Sequence, residues 1–369
     1  MATDKEISPL DRIDGELLKL FIERMAAAEQ SDPRRDPVRE REIMNQIART
    51  CSGDTAKAAR LFFTELFDFA ANRRRTPEGQ SSIAATIAAA LKETPALFPQ
   101  QASVACQGVE GSYAQQACDR FFRVPEIVYV RTFEGVCQAV EQGLCEYGVL
   151  PVENTLYGTV GAVYDLMTEH RFHIVRSLKK QISHALLALP GTPREELREV
   201  ISHDQALGQC SRFIKDHKLK VSVCENTAVA ARMVAESGNR HMAAIASPEC
   251  AALYGLEIVD TDIQNNANNY TRFICISRKL EIYPGADKSS IILSVPHRPG
   301  ALYQLMAKFA ALGINLSKLE SRPVPGRDFE FIFYFDFDAS TIEPGVVALL
   351  EELSAGPETF VFLGNYSEL

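Results

Sequence analysis

The sequence predicts a multidomain protein with an all-α helical module, a two-lobed α/β domain and an α+β ferredoxin-like module. Three observations predict this order. The chain before Ser103 shows helical periodicity and no strand pattern, strands and helices alternate after it, and the C-terminal segment follows a βαββαβ pattern. We expect three modules at 1–75, 103–280 and 289–369, joined by linkers at 76–102 and 281–288.

Apolar residues at three- and four-residue spacing predict the first helix over residues 10–25. Arg24 closes this otherwise apolar stripe. It is either a snorkelling arginine at the helix end or an anion ligand inside a helical bundle. Further helices are predicted over Val38–Cys51 and Thr55–Arg75, and the linker contains a short Ala-rich helical stretch, Ile83–Lys92.

Three apolar runs of the α/β domain lie next to clustered small polar residues. The clusters are Glu153–Thr155, Ser202–Gln205 and Asn268–Arg272. Open α/β sheets bind ligands where strand ends face a crevice, so three such ends predict a single polar pocket. For Thr271 and Arg272 alone, the alternative is a capping threonine and a surface arginine.

A glycine turn, Gln107–Tyr113, connects the first strand of this domain to a helix. Free amide N–H groups converge at such a helix start and can bind an anion. Ser112 and Tyr113 at this position suit a carboxylate. The turn lacks the Gly-x-Gly-x-x-Gly pattern of a dinucleotide site.

The C-terminal segment is predicted to contain four strands and two helices. The strands are Ser290–Val295, Asn315–Arg322, Phe329–Phe337 and Glu358–Leu363, and the helices are Gly300–Leu312 and Glu343–Ala355. Phenylalanine at every second position of the third strand is typical of a half-buried strand.

Composition excludes several classes of function. A net charge of −9 and a pI near 5.4 argue against nucleic acid as the main partner. No apolar run reaches the roughly 18 residues of a membrane span, and the polar start of the chain predicts no signal peptide. The nine cysteines are scattered, without Cys-x-x-Cys or metal-ligand spacing. We therefore expect a cytoplasmic protein without a metal.

The α/β domain resembles the prephenate dehydratase family. Five separated stretches carry the resemblance: Val104–Tyr113, Pro151–Val160, Ser202–Cys210, Ala243–Leu256 and Asn269–Phe273. It implies a two-lobed fold of the periplasmic-binding-protein kind and a reaction that needs no cofactor. Asp204 stands where the family usually has proline, a departure that removes no polar group of the site.

Prephenate loses carbon dioxide and hydroxide together and becomes aromatic. The enzyme must hold two carboxylates and help hydroxide leave. The resemblance implies that Thr271 lies near the leaving hydroxyl. Because a threonine alone is too weak an acid, we expect His203 or a relayed water to contribute. Glu153 is either an orienter of neighbouring groups or a general acid, and the first is favoured. His203 is alternatively a structural histidine, and His184 is more consistent with a core or hinge residue. The predicted substrate ligands are Ser112, Tyr113, Asn154, Thr155, Ser202, Gln209, Arg272 and Phe273. Arg272 either binds a carboxylate or braces Glu153, and Phe273 packs in the core or against the substrate ring.

The C-terminal module resembles the ACT domain through Arg298–Tyr303, Gly313–Leu316 and Glu320–Pro323. In dehydratases of this kind the ACT domain binds phenylalanine at a subunit interface, which implies inhibition by the end product. The effector ligands implied are Gly300, Ala301, Leu302, Asn315, Glu320 and Ser321.

The N-terminal module resembles the helical chorismate mutase family through Leu10–Leu18, Arg24 and Asp36–Glu40. Its mutase-like site consists of Arg24, Asp36, Arg39 and Glu40. Ile7, Ala70 and Arg74 depart from the family's polar positions, and the family's lysine between the first two helices is missing. An active mutase and a dimerisation module without chemistry are both open, and the departures favour the second.

The expected function is therefore that of a prephenate dehydratase, a carbon–oxygen lyase of phenylalanine biosynthesis, with chorismate mutase activity as a possible addition. We expect a homodimer or tetramer that binds prephenate and phenylalanine, without nucleic-acid or membrane partners. The alternative is a non-catalytic sensor of aromatic metabolites. A sensor needs carboxylate ligands but no donor such as Thr271 for a leaving group. Prephenate and arogenate are alternative substrates.

Overall fold

The structure, a computed structural model, describes residues 8–30, 36–72, 82–324, 331–355 and 357–369. Three helices come first: α1 (Pro9–Gln30), α2 (Pro37–Thr50) and α3 (Gly53–Asn72). Asp36 caps α2 by accepting hydrogen bonds from the Val38 and Arg39 amides. The end predicted for the third helix, residues 73–75, lies outside the described residues, as do Ile7 and Arg74.

The predicted apolar face of α1 is largely exposed in the single chain. Leu10 is 70% exposed and Leu20 is 61% exposed. Met25, Ile47 and Leu66 are buried, one from each helix, so the three helices share a small core. The amphipathic pattern is present, but this chain alone does not cover it.

Part of the predicted first linker is the packed helix α4 (Ile83–Glu93). Ile87 and Ala90 are buried in one apolar cluster with residues of the C-terminal segment. The Ala84 amide also donates to Glu351 Oε1 at 2.6 Å. This stretch is therefore part of a core rather than a free connection.

The first lobe is a mixed sheet covered by helices. Its strands are β1 (Gln101–Gln107), β2 (Val124–Val130), β3 (Tyr147–Asn154), β4 (Gly158–Thr159), β5 (His173–Gln181) and β11 (Tyr270–Ser277). Its helices are α5 (Tyr113–Phe121), α6 (Phe133–Glu141) and α7 (Gly161–Glu169). The order is β5-β11-β3-β1-β2, in which β11 runs antiparallel to both of its neighbours.

The second lobe has its own five-stranded sheet, in the order β10-β6-β9-β7-β8. The strands are β6 (Ala185–Ala188), β7 (Glu199–Ser202), β8 (Lys220–Val223), β9 (Met242–Ala246) and β10 (Glu257–Asp260). The helices are α8 (Asp204–Gln209), α9 (Ser211–Asp216), α10 (Thr227–Ser237) and α11 (Glu249–Tyr254).

The chain crosses between the two lobes twice. Residues 182–184 connect β5 to β6, and residues 261–269 connect β10 to β11. The first crossing divides the largely apolar run 181–189 between the end of β5 and β6. The Ile182 amide donates to the Asn269 carbonyl at 2.8 Å, so the two crossings lie side by side.

The C-terminal segment has the element order βαββαβ. It consists of β12 (Lys288–Ser294), α12 (Ala301–Ala311), β13 (Asn315–Pro323), β14 (Phe331–Asp338), α13 (Pro344–Ser354) and β15 (Phe360–Glu368). Its strands form an antiparallel sheet in the order β13-β14-β12-β15. Phe329, which the sequence placed in the third strand, lies outside the described residues.

This C-terminal sheet continues into the first lobe. Ser367 and Glu368 at the end of β15 pair in parallel with Arg176 and Ser177 of β5, which makes a ten-stranded sheet. One apolar cluster spans both parts: Leu150, Val152, Tyr164, Ile274, Ile292, Tyr334, Leu363 and Tyr366. Packing on both sides of the second predicted linker therefore joins the two parts. No helix in the described parts of the chain is long and apolar enough to cross a bilayer.

Candidate active site

Thr271 lies at the start of β11, between residues of both neighbouring strands. Asn154 of β3 is opposite to it on one side, and Lys180 of β5 on the other. The pairing with β3 shifts by one residue next to Arg272, so that Val152 has no partner in β11. Such a β-bulge re-aims the side chains at a strand end. Here it brings Asn154 opposite to Thr271.

The side-chain amide of Asn154 fixes the hydroxyl of Thr271. Its Nδ2 group lies 3.0 Å from Thr271 Oγ1 and 2.9 Å from Asn269 Oδ1, and it donates to both. Its Oδ1 atom accepts hydrogen bonds from the amides of Leu156 and Tyr157. The donor and acceptor ends of Asn154 are therefore defined. The contact uses a lone pair of Thr271 Oγ1 and not its hydrogen, which a hydroxyl can donate to a ligand.

The network continues from Asn269 into the second lobe. Gln209 Oε1 on α8 accepts from Asn269 Nδ2 at 2.9 Å and lies 2.7 Å from His184 Nε2. Because Oε1 accepts, His184 carries its hydrogen on Nε2. His184 Nδ1 lies 3.4 Å from the hydroxyl of Tyr113, which donates to the Ser183 carbonyl at 2.5 Å. Polar contacts thus connect Thr271 with both crossings and both lobes.

His184 is held neutral in this network. Its side chain is buried, and this desolvation lowers its pKa below the usual 6.5, although the hydrogen bond with Gln209 acts in the opposite direction. The single hydrogen of the Tyr113 hydroxyl goes to the Ser183 carbonyl, so the 3.4 Å approach of this hydroxyl to Nδ1 is a polar contact without a hydrogen of its own. The sequence suggested a core or hinge residue here, and His184 lies in the first crossing. The sequence predicts no separate role for Asn269, which lies in the Asn269–Phe273 stretch.

The glycine turn lies where the second lobe touches the first. Gly111 has a φ of +88°, and a Cβ at this position would come within 2.9 Å of Cys250 Sγ on α11. Gln116 Nε2 on α5 donates to Ser247 Oγ of the second lobe at 3.0 Å. Ser112 is buried and caps α5 by accepting from the Gln115 amide, while its own amide donates to the Val109 carbonyl. Ser112 thus serves the turn itself rather than a free anion site.

Two predicted site residues, Glu153 and Arg272, turn away from Thr271 Oγ1. Glu153 pairs with Lys318 of β13 at 3.0 Å. Arg272 is 11% exposed and contacts Asp336 at 2.5 Å and Glu368 at 3.3 Å, both in the C-terminal segment. Arg272 also donates to the hydroxyl of Tyr366 at 3.0 Å. Its guanidinium therefore contacts the C-terminal segment, in place of the predicted substrate carboxylate or Glu153.

Phe273 lies in the buried cluster beneath α5. Of the two predicted alternatives, it packs in the core and not against the substrate ring.

Ser202 and His203 have structural partners in the second lobe. Ser202 is buried and donates to the Ile245 carbonyl at 2.5 Å, inside the sheet, which differs from its predicted role as a substrate ligand. His203 caps α8, and its Nδ1 atom accepts from the Gln205 amide at 3.3 Å.

Thr155 is exposed, and its Oγ1 atom donates to the Asn268 carbonyl and accepts from the Tyr270 amide. It therefore binds the second crossing to the end of β3.

The predicted effector residues fall into two groups. Gly300 has a φ of +82° and starts α12, followed by Ala301 and Leu302. In the second group, Glu320 Oε2 accepts from Thr159 Oγ1 of the first lobe at 2.8 Å. Asn315 donates to Asp338, and Ser321 pairs with Phe333 in the sheet. Within this chain Glu320 contacts the first lobe, whereas we expected it at a subunit interface.

The residues of the mutase-like site also contact their own module. Arg24 donates to the Leu66 carbonyl at 3.2 Å and lies over the ring of Phe67. Burial lowers the pKa of Arg24, and the charge of nearby Arg39 lowers it further. Asp36 is the cap of α2, and Glu40 lies in the first turn of that helix.

A family model described as prephenate dehydratase matches residues 104–281. The chain is 38% identical over 275 residues to "Arogenate dehydratase/prephenate dehydratase 2, chloroplastic" from Arabidopsis thaliana, covering 71% of this chain and 72% of the relative. It is 37% identical over 280 residues to "Arogenate dehydratase/prephenate dehydratase 1, chloroplastic" from the same plant, covering 71% of each.

Two solved structures share the fold over 72% of this chain. One is a prephenate dehydratase from Arthrobacter aurescens in complex with L-Phe, with 28% identity, a TM-score of 0.66 and 89% of that chain covered. The other is GqqA, described as a novel type of quorum quenching acylase, with 31% identity, a TM-score of 0.67 and 98% of that chain covered.

Proposed function

The chain belongs to the prephenate/arogenate dehydratase family, and we propose that it converts prephenate to phenylpyruvate in phenylalanine biosynthesis. In this reaction the bond from the ring to its carboxylate breaks and releases carbon dioxide. The electron pair of that bond completes the aromatic ring, while the bond from the ring to the hydroxyl breaks. The hydroxyl leaves and becomes water when it takes up a proton.

The contact of 3.0 Å between Asn154 Nδ2 and Thr271 Oγ1 carries this proposal. The amide occupies a lone pair of the hydroxyl, so the Thr271 hydrogen can donate to the leaving oxygen of the substrate. A threonine hydroxyl is a weak acid, so its role is to stabilise the leaving group while a water supplies the proton. His203 is a second proton source, which we retain as a prediction.

A paired assay on the purified protein tests the proposal. Prephenate and arogenate are supplied separately, and the formation of phenylpyruvate and of phenylalanine is measured. We expect turnover of prephenate, with arogenate as the alternative substrate that the named plant relatives suggest. Binding of either compound without turnover would instead favour the sensor.

We further propose that residues 289–369 are an ACT domain that binds phenylalanine and inhibits the enzyme. The βαββαβ order supports this, as does Gly300, whose positive φ opens the start of α12 to a ligand. The Arthrobacter aurescens structure contains L-Phe. The first group of effector residues, Gly300, Ala301 and Leu302, is the one we assign to phenylalanine, in a homodimer or tetramer.

For residues 1–75 we propose a module of chorismate mutase ancestry that mediates dimerisation. The exposed apolar face of α1 and the contacts of Arg24 with its own module support loss of the mutase chemistry. Supplying chorismate and measuring its disappearance tests this. Catalysed consumption would mean that the module is an active mutase. A cytoplasmic location, inferred from the scattered cysteines, stays a prediction.

A further inference from the structure

Lys180 shares one face of the sheet with Thr271. The two residues are directly opposite in the ladder of β5 and β11, so their side chains leave the sheet on the same side. Two residues further along each strand, Leu178 and Phe273 are also paired, and both are buried beneath α5. Lys180 and Thr271 therefore continue that face beyond the end of the core.

The ammonium group of Lys180 reaches toward the other lobe. Its Nζ atom lies 3.9 Å from Oε1 of Glu249, the first residue of α11. The side chain of Lys180 is 26% exposed, whereas that of Glu249 is 55% exposed. A separation of 3.9 Å is the outer limit of an ion pair, so Glu249 is a loose partner that an incoming anion can replace.

Tyr113, the first residue of α5, lies near the same end of the sheet. Its ring packs against the core beneath α5. The thiol of Cys250, the residue after Glu249, lies 3.4 Å from the Gly111 carbonyl in the turn before α5, so Glu249 lies near the start of α5 as well as near Lys180. The ammonium group of Lys180 thus lies between the two lobes, beside the end of β11 that carries Thr271.

We propose that Lys180 is a substrate-binding residue whose ammonium group binds a carboxylate of the substrate and exchanges Glu249 for it. This rests on the proposed function, because prephenate and arogenate each carry two carboxylates. Asn154 and Gln209 are neutral and cannot neutralise them, and Arg272 is engaged with Asp336. A charge-assisted hydrogen bond from Lys180 supplies the positive charge that this site requires.

The ion pair allows a test in which a binding role and a structural role predict opposite results. Lys180→Met and Glu249→Gln are assayed with prephenate over a range of concentrations. If Lys180 binds substrate, Lys180→Met raises KM by about tenfold or more, whereas Glu249→Gln removes a competitor and lowers KM. If the pair only holds the lobes together, both variants change KM in the same direction, which overturns the proposal.

Lys179→Met is the matched control. Lys179 is the adjacent residue on β5, opposite to Arg272 in the ladder, and it pairs with Glu368 at 3.1 Å on the other face of the sheet. We expect its KM to stay within about twofold of the parent value, because the Lys179 side chain is 60% exposed and lies away from Thr271. Lys180→Arg keeps the charge and should restore most of the affinity.

Folding and function are separated within the same experiment. If Lys180→Met does not fold, the KM of Glu249→Gln decides alone. A lowered KM supports the proposal, and an unchanged or raised KM contradicts it. If the parent protein turns over neither prephenate nor arogenate, the proposed function itself fails before any variant is considered. If the parent is active and Lys180→Met keeps its KM, only the Lys180 inference fails.

Discussion

Glu153 and Lys318 form an ion pair of 3.0 Å between β3 and β13. Glu153 precedes Asn154 in the chain, so the strand that holds the Thr271 hydroxyl is also held by the C-terminal segment. Arg272 repeats this arrangement on β11, because it follows Thr271 and contacts Asp336. Two adjacent strands thus present one residue to the candidate site and the neighbouring residue to the proposed regulatory module.

Replacement of Lys318 by methionine should weaken inhibition by phenylalanine. The change removes the contact with Glu153, so a shift of β13 is less strongly transmitted to β3. We expect the phenylalanine concentration for half inhibition to rise by about fivefold, with kcat in the absence of phenylalanine within about twofold of the parent value. The control is Lys308→Met, which breaks the ion pair between Lys308 of α12 and Glu352 of α13. An equal shift in both variants would contradict transmission through Glu153.

Replacement of Arg272 by methionine should strongly reduce stability. Asp336 would be left as a buried carboxylate without its cation, and Glu368 would keep Lys179 alone as a cation. We expect the free energy of unfolding, measured in urea, to fall by about 3 kcal/mol. Arg194→Met breaks the more exposed Arg194–Asp260 pair, and a loss below about 1 kcal/mol is expected there. Similar losses in the two variants would show that the Arg272 contacts are not a buried network.

Stability should decrease in mild acid, partly because of His184. Burial lowers the pKa of its imidazole in the folded chain below 6.5. The unfolded chain therefore binds more protons near and below pH 6.5, and the free energy of unfolding falls as pH falls through this range. His184→Gln keeps a donor for Gln209 and removes the titration. Its stability difference between pH 7.5 and pH 5.5 should be smaller than that of the parent protein, and an equal difference would exclude His184 as a cause.

Replacement of Asn154 by aspartate should impair catalysis without a change in side-chain size. A carboxylate cannot donate to Thr271 Oγ1 or Asn269 Oδ1, and it would repel the latter oxygen. We expect kcat to fall by about two orders of magnitude. Asn268→Asp, at an exposed position of the second crossing, should keep kcat within about twofold. An Asn154→Asp variant with the same kcat as this control would contradict the orienting role of the Asn154 amide.

The convergence of Asn154 and Thr271 could be predicted from the sequence, because apolar runs that end in polar residues mark strand ends at a crevice. Gln209, which lies on α8, was predicted as a ligand only through the family resemblance. The directions in which the side chains of Glu153 and Arg272 point could not be predicted from the sequence. A one-residue bulge next to Arg272 decides which side chain faces the crevice, and the pattern of apolar residues does not reveal it.

Other differences have similar causes. Ser202 ends an apolar run, which predicts a hydroxyl free to bind a ligand, but this hydroxyl donates to the carbonyl of Ile245 on the neighbouring strand. The sequence predicts no strand over Lys180, and a lysine at such a position is indistinguishable by sequence from a solvated one. Its role depends on which residue of β11 lies opposite, and strand pairing between distant segments is not encoded locally.

The most direct test of the account is the rate of phenylpyruvate formation from prephenate by Thr271→Val. Valine has nearly the same shape as threonine but no hydroxyl, so the leaving oxygen loses its donor while packing is kept. We predict that kcat falls by about two to three orders of magnitude, and that Thr271→Ser, which keeps the hydroxyl, retains most of the parent rate. A Thr271→Val variant with the kcat of the parent protein would contradict the account.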